Sequence, residues 1–486
     1  MKNNKIKILF VASEMDPFAK TGGLADVIGT LPLEIAKLDY EVAIIIPHYQ
    51  DIINKKLDYK AKYDIIVPTA EGNKFAHVFE YNHKGVPVYF LDYELYFNRS
   101  ELYGESDTNG YQDNILRFSL FNRGVLEFCK LINFIPDIFH CNDWHTALLP
   151  VYLRVHYKDD PLYNRSKVLF TIHNLAYQGL FPIEKWYELN IPIELYSVKY
   201  LEFWGKINLM KGGLVFSDYL STVSMKYAEE IQSPELGCGL EDVLKERKDH
   251  LYGILNGIDY NVWNSSSDPY LYGIEYNLND LSGKEKIKKK LLEELNLVYN
   301  KNIPLIGSIS RLTIQKGFDL LINIAEQIFN ENIQYVLLGR GDNKYHKFFE
   351  EIQKKYPKKV VTLLKYNDEL AHKIEAGCDI FLMPSQYEPC GLNQLYSLKY
   401  GTIPVVRSTG GLADSIKDGS NGFSFKDYKA DQLLLTLRRA IKVYSDKKIW
   451  YQMIQTAMKQ DFSWKRSSQQ YDKLYRRILS IYTNTD

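Results

Sequence analysis

Apolar residues along the chain fall into short runs, separated by stretches in which they recur every three or four positions. Runs at Ile6–Ala12, Val42–Pro47, Val88–Leu91, Ile138–His140, Val168–Thr171 and Leu220–Val223 predict buried strands, and amphipathic helical stretches lie between several of them. Such alternation specifies a parallel sheet covered by helices. Residues 265–280 are polar, a Lys/Glu-rich helical stretch follows, and then the alternation restarts. Ile303–Ser308, Tyr335–Leu338, Val360–Leu364, Ile380–Met383 and Ile403–Val406 predict a second set of strands. Two α/β domains in tandem, joined near residue 255, are the simplest account.

One hexapeptide occurs in both halves. Thr21-Gly22-Gly23-Leu24-Ala25-Asp26 returns as Thr409-Gly410-Gly411-Leu412-Ala413-Asp414. Each copy follows a predicted strand and leads into a helical pattern. Strand-to-helix turns of this kind are where open α/β sheets bind ligands. In the first copy, preceded by Lys20, paired glycines would let the backbone approach a ligand, and the free N–H groups of the next helix would face an anion. A glycine pair alone is more often just a turn.

Composition narrows the class. At 486 residues, 45% hydrophobic and 25% charged, the chain is globular and long enough for two to four domains. Lys+Arg and Asp+Glu are both 60, which argues against the basic field of a nucleic-acid binder and permits a neutral hydroxylated polymer as partner. The 38 tyrosines accompany many Lys, Asn and Ile residues and point first to codon bias. Five cysteines with no C-x-x-C disfavour a disulfide framework or cysteine-rich zinc site and fit a reducing cytoplasm. The N-terminal apolar run is cut short by Glu14 and Asp16, so it reads as a first strand rather than a signal peptide. No segment nears the roughly 18 apolar residues of a membrane helix.

Several motifs then carry the chain toward one family. Lys20-Thr21-Gly22-Gly23-Leu24-Ala25-Asp26-Val27 resembles the K-x-G-G-L-A-D-V signature of bacterial glycogen synthases and plant starch synthases. His140-Cys141-Asn142-Asp143-Trp144-His145 resembles their H-x-x-D-W-H, and Thr171 to Gly179 their T-x-H-N-L-A-Y-Q-G. Asn256-Gly257-Ile258-Asp259, Ser310-Arg311-Leu312-Thr313 with Gln315-Lys316-Gly317, Pro384-Ser385 with Glu388-Pro389-Cys390-Gly391-Leu392, and Phe462-Ser463-Trp464 resemble further family motifs in the family's order.

The resemblance implies an α/β fold of two Rossmann-like domains, the GT-B glycosyltransferase architecture, with a deep interdomain cleft where donor and acceptor meet. It implies an N-terminal, acceptor-side domain over 1–254, a donor-binding domain over 255–464, and a C-terminal helix over 465–486 that returns to the first. The implied reaction moves glucose from ADP-glucose, with UDP-glucose as the alternative donor, to the non-reducing end of glycogen or another α-1,4-glucan. It retains configuration and uses neither a cofactor nor a metal.

A departing nucleotide diphosphate gains negative charge that fixed donors or a metal must meet. Arg311 and Lys316, in a loop after a predicted strand, suit that clamp; without the motif they would read as solvated loop cations. Gly391, Leu392 and Asn393 open a helical stretch whose N–H groups form a second anion site, although many relatives have Thr at the position of Asn393. By resemblance Glu388 and His173 orient the donor glucose, Tyr366 stacks on the base, and Lys20, Gly22, Gly23 and Asp26 close on the phosphates. Asp143 and Trp144 face the acceptor, with Asn174, Asn256 and Cys390 also at the substrate.

Other chemistries fit less well. Many related glycosyltransferases carry a second glutamate eight residues after the first, where this chain has Tyr396. Cys390 has no adjacent base to make it a nucleophile. His140, Asp143 and His145 lack zincin spacing. Asp143 and Glu388, in different domains, do not form the carboxylate pair of a glycosidase.

Overall fold

A computed structural model describes residues 5–106 and 109–480. Residues 1–4, 107, 108 and 481–486 lie outside it, and with them the last six positions of the expected returning segment. The chain forms two compact units. The first takes in the chain up to Val223, Ala228–Ile254 and the segment from Trp464 onward, and the second takes in Ser224–Tyr227 and Leu255–Ser463.

The first unit is built on strands β1 (Ile6–Val11), β2 (Tyr40–Pro47), β3 (Ala61–Thr69), β4 (Gly72–His83), β5 (Val86–Asp92), β6 (Ile138–Asn142), β7 (Lys167–Ile172), β8 (Tyr219–Thr222) and β9 (Leu251–Gly253). They form one sheet in the order β9-β8-β7-β6-β1-β2-β5-β4-β3. The chain leaves β1 toward β2 on one side, while β6 lies on the other. Strand order therefore reverses between β1 and β6, and the crevice at their carboxyl ends is the topological switch point.

The β3–β4 pair departs from the expected all-parallel sheet, because β3, β4 and β5 run antiparallel. The apolar pattern predicts no strand over 61–83. Here Ile65 and Val67 are buried on β3 with exposed Ile66 between them, and Ala76 and Val78 are buried on β4 between exposed Phe75 and half-buried neighbours, so only one face of the pair is covered and the apolar run is too short to mark a strand.

Helix Trp464–Ile478 belongs to the first unit. Trp464, Tyr471, Leu474, Tyr475 and Ile478 form one buried stripe along it. Tyr475 Oη lies 2.8 Å from His140 Nδ1, and Tyr40 Oη donates to Asp472 at 2.5 Å.

The second unit has six parallel strands: β10 (Leu305–Ile309), β11 (Gln334–Leu338), β12 (Val360–Leu363), β13 (Ile380–Met383), β14 (Ile403–Arg407) and β15 (Phe423–Phe425). Their order is β12-β11-β10-β13-β14-β15, so the switch point lies between β10 and β13. Apolar cores cover both faces, one around Leu337, Phe349 and Trp450, the other around Leu291, Leu305 and Phe381. The polar stretch 265–280 is folded into this unit. Asp268 accepts bonds from His372 and Tyr400, and Leu271 and Tyr276 are buried.

Candidate functional site

In the first unit, the residues singled out by sequence converge at the carboxyl ends of β1, β6 and β7, which are neighbours in the sheet. After β1 the chain turns back through Lys20–Gly22 into helix Gly23–Ala36. Lys20 Nζ pairs with Asp26 at 2.5 Å, and burial raises the Asp26 carboxyl above its ordinary range against the pull of that cation. A Cβ on Gly22 or Gly23 would meet nothing within 4 Å, so local packing does not require either glycine.

The turn is held by a residue that sequence reasoning passed over. Glu14 had served only to end the first apolar run. It is buried, and its carboxylate accepts from Thr21 N (2.6 Å), Thr21 Oγ1 (2.7 Å), Gly22 N (3.2 Å) and Tyr103 Oη (2.7 Å). The N–H groups of Thr21 and Gly22, just ahead of the helix, thus face a carboxylate of the chain itself. The available signal was an acid three residues beyond the buried end of β1.

Asp143 follows β6 with φ 57° and ψ 178°, a region that residues bearing a Cβ rarely occupy. Its Oδ1 accepts from His173 N at 2.7 Å. Burial pushes its carboxyl up to about 7, against the backbone N–H groups of His173 and Asn174. Asn174 itself forms a local turn by accepting from Ala176 N.

Asn142, another residue the sequence did not flag, orients His173. Its Nδ2 donates to the carbonyls of Val11 (3.1 Å) and His140 (3.0 Å), which turns its Oδ1 toward His173 Nε2 at 2.9 Å. Burial lowers the His173 imidazole to about 3, so it is neutral near pH 7. The proton then belongs on Nε2, and Nδ1 is left as an acceptor.

Trp144 lies against His145 at 4.0 Å and, with Gly110, Tyr111, Gly179, Phe181 and Lys185, lines a cavity of about 270 Å³. A Cβ on Gly179 would fall 2.4 Å from the indole, so glycine is needed to seat that ring. His140 is turned away into the core. Its two ring nitrogens meet Tyr475 and Thr171. Among the described residues no three His, Cys, Asp or Glu side chains are grouped to hold a metal.

In the second unit Arg311 and Lys316 follow β10, Glu388 to Asn393 follow β13 and the second hexapeptide follows β14, whereas Tyr366 follows the edge strand β12 and Asn256 precedes the sheet. Arg311 is exposed just past β10, and Lys316 ends a short 3-10 turn closed by Gly317 at φ 74°. Gly317 has no room for a side chain, since a Cβ would stand 2.0 Å from the Pro384 carbonyl. Lys316 Nζ contacts both oxygens of buried Glu388, at 3.0 and 2.7 Å, and Ser385 Oγ donates to the same carboxylate. Ser385 belongs to the Pro384-Ser385 motif, and this bond to Glu388 is what the motif alone does not predict.

Gly391 has φ 67°, and helix Asn393–Tyr400 begins two residues later. Asn393 Nδ2 donates to Ile309 O at 2.7 Å, so its amide ties this helix to the end of β10. Tyr396 lies on Trp263 at 3.8 Å, nearly parallel. Asn256 Oδ1 is buried and has no hydrogen-bond partner among the described residues. Burial pushes the Cys390 thiol up to about 12, which leaves it protonated and inert as a nucleophile. Tyr366 is 77% exposed, with its hydroxyl toward Asp368.

The repeated hexapeptide serves two purposes. In the second copy, Cβ atoms on Gly410 and Gly411 would stand 2.0 Å from the carbonyls of Glu388 and Cys390. These glycines let the Glu388–Gly391 loop rest on backbone, whereas the first pair borders open space.

Comparison with known proteins gives this arrangement a context. Residues 7–246 match the starch synthase catalytic domain, and residues 292–459 match glycosyl transferases group 1. Glycogen synthases from Geotalea daltonii and Koribacter versatilis are 45% and 43% identical, over 98% of this chain and 99% and 98% of theirs. The chain belongs to the glycogen and starch synthase family. As a member it is a glycosyltransferase with the two-unit α/β architecture of the GT-B class. The catalytic domain of starch synthase IV from Arabidopsis thaliana, solved bound to ADP and acarbose, aligns with a TM-score of 0.88 at 33% identity, covering 98% of this chain and all of that one. A sucrose-phosphate synthase from Thermosynechococcus elongatus, at 14% identity and a TM-score of 0.62, shares the fold.

Proposed function

We propose that this synthase transfers glucose from ADP-glucose to the non-reducing 4-hydroxyl of an α-1,4-glucan, with retention of configuration and release of ADP. The observation that carries the reading is the pairing of Lys316 with buried Glu388 at the switch point of a parallel sheet, in the loop that also carries Arg311. A cation held by a carboxylate is positioned before the substrate arrives, and can exchange that partner for a diphosphate. Arg311 and Lys316 meet the charge that develops as the bond between the anomeric carbon and the diphosphate oxygen breaks. The N–H groups at Gly391, Leu392 and Asn393 add to this.

Glu388 and neutral His173 orient the glucose; His173 Nδ1 is suited to accept from a sugar hydroxyl. Lys20, Gly22, Gly23 and Asp26 act at the donor phosphates, Tyr366 at the base, and Asp143, Trp144 and Asn174 at the acceptor. Asn256 and Cys390 line the donor side, where the unpartnered amide oxygen of Asn256 suits a hydroxyl. As the new bond forms from the acceptor oxygen, its proton passes to the departing phosphate. No side chain is assigned as base. Metal independence and a cytoplasmic setting belong to the same reading, with five free cysteines in support of the setting.

The test is glucose incorporation into glycogen from ADP-glucose and UDP-glucose in parallel. Faster incorporation from ADP-glucose is expected. A preference for UDP-glucose corrects the donor, and incorporation from neither overturns the reading.

A further inference from the structure

Trp204 is 80% exposed, the most exposed of the large apolar residues among those described. It sits at the tip of a hairpin between Glu202–Phe203 and Lys206–Asn208, with φ 49°, followed by Gly205 at φ 78°. Positive φ at both central residues is the turn geometry that favours Asn-Gly. A bulky aromatic in the first position is costly there. Neither backbone preference nor burial accounts for tryptophan at this site.

The surroundings hold the indole as a platform. It stacks on Phe203, with centroids 4.6 Å apart and planes at 29°. Both rings rest on Gly239, where a Cβ would come within 2.8 Å of each. The turn under them is tied down: Gln178 Nε2 donates to Cys238 O, and Asn208 Nδ2 donates to Gln178 Oε1. Gly205 N donates to Glu202 at 2.8 Å and closes the tip. An exposed indole flanked by Glu202 and Lys206 suits a pyranose, which offers an apolar face and a rim of hydroxyls.

The hairpin also adjoins the cavity that contains Trp144. Phe203 and Pro182 both pair with Lys206, one from each side, and Pro182 lines that cavity. At about 4.8 Å per strand, the platform lies roughly 10 Å from the cavity wall.

We infer that Trp204 and Phe203 form a second binding site for the α-glucan, which holds the acceptor polymer outside the reacting residues. The inference rests on the glucan acceptor proposed above. A polymer held at two points is retained by effective concentration, whereas a short acceptor gains nothing from the outer point.

The experiment compares Trp204→Ala and Trp204→Phe with the unaltered protein, using glycogen co-sedimentation and initial rates with glycogen or maltotriose. For Trp204→Ala, apparent KM for glycogen should rise about 3–10-fold, the value of one lost aromatic contact. Donor KM and the maltotriose rate should stay within about twofold, and Trp204→Phe should recover most of the glycogen affinity. Unchanged glycogen KM and co-sedimentation in Trp204→Ala would overturn the inference. So would an equal loss on maltotriose, or a change in sedimentation coefficient showing that a second copy covers the indole. Absence of glucosyl transfer by the unaltered protein onto either acceptor would instead sink the acceptor reading itself.

Discussion

At the scale of single residues, burial and pairing determine which groups change charge. The Asp143 carboxyl titrates near 7 when folded and near 3.9 when unfolded. Between those values the folded chain binds more protons, so this group lowers stability as pH rises through the window. Asp143→Asn keeps an acceptor for His173 N and removes that loss. Its stability gain should be near zero at pH 4 and reach up to about 4 kcal/mol above pH 7, measured by urea denaturation across pH. The Lys316–Glu388 pair gives a second prediction. Lys316→Ala should lower kcat on the order of 10²–10³-fold, as removal of an oxyanion donor does, with glycogen co-sedimentation unchanged. It should also cost about 1–3 kcal/mol, because a buried carboxylate loses its cation. Adding Glu388→Gln should recover stability without recovering rate. Recovery of both would mean that the lysine only neutralises Glu388.

At the scale of elements, the two copies of the hexapeptide are a controlled comparison. Gly22 is extended and borders open space, so Gly22→Ala should leave stability within about 1 kcal/mol while slowing transfer on the order of 10–100-fold. Gly411→Ala forces a Cβ against the Cys390 carbonyl and should cost about 1–3 kcal/mol or more, as overpacking does. Thermal melts and initial rates on both variants decide this. If Gly22→Ala reacts at the normal rate, the first turn has no part in binding. The copies were legible as strand-to-helix turns because glycine pairs beside apolar runs mark such turns. Their different roles depend on what lies opposite each pair. Open space faces the first and the Glu388–Gly391 loop faces the second, and a six-residue pattern carries neither fact.

At the scale of the whole molecule, each unit is a sheet with its own core, and the C-terminal helix belongs to the first. Tyr475→Phe removes the hydroxyl that meets His140 Nδ1 and should cost about 1–3 kcal/mol. Hydrogen exchange should quicken in β1, β6 and helix Trp464–Ile478 and stay unchanged in β10–β15; faster exchange in both sheets would count against separate cores. Catalysis should persist in excess EDTA if the cationic groups suffice for the diphosphate, and loss restored by magnesium would show that they do not. Among the described residues no helix is long and apolar enough to cross a membrane. The sequence by itself determined the α/β class, the strands buried on both faces and the family, and marked the motifs that follow β1, β6, β7, β10 and β13. Unbroken apolar runs and glycine-centred motifs are local, so they survive reading in one dimension. Tertiary structure alone decided the antiparallel β3–β4 pair, whose burial is one-sided, and the placement of Glu14 and Asn142 against Gly22 and His173. It also decided the exposure of Trp204. Those depend on which groups meet in three dimensions and which faces stay open to solvent, and a linear pattern of apolar and polar residues encodes neither.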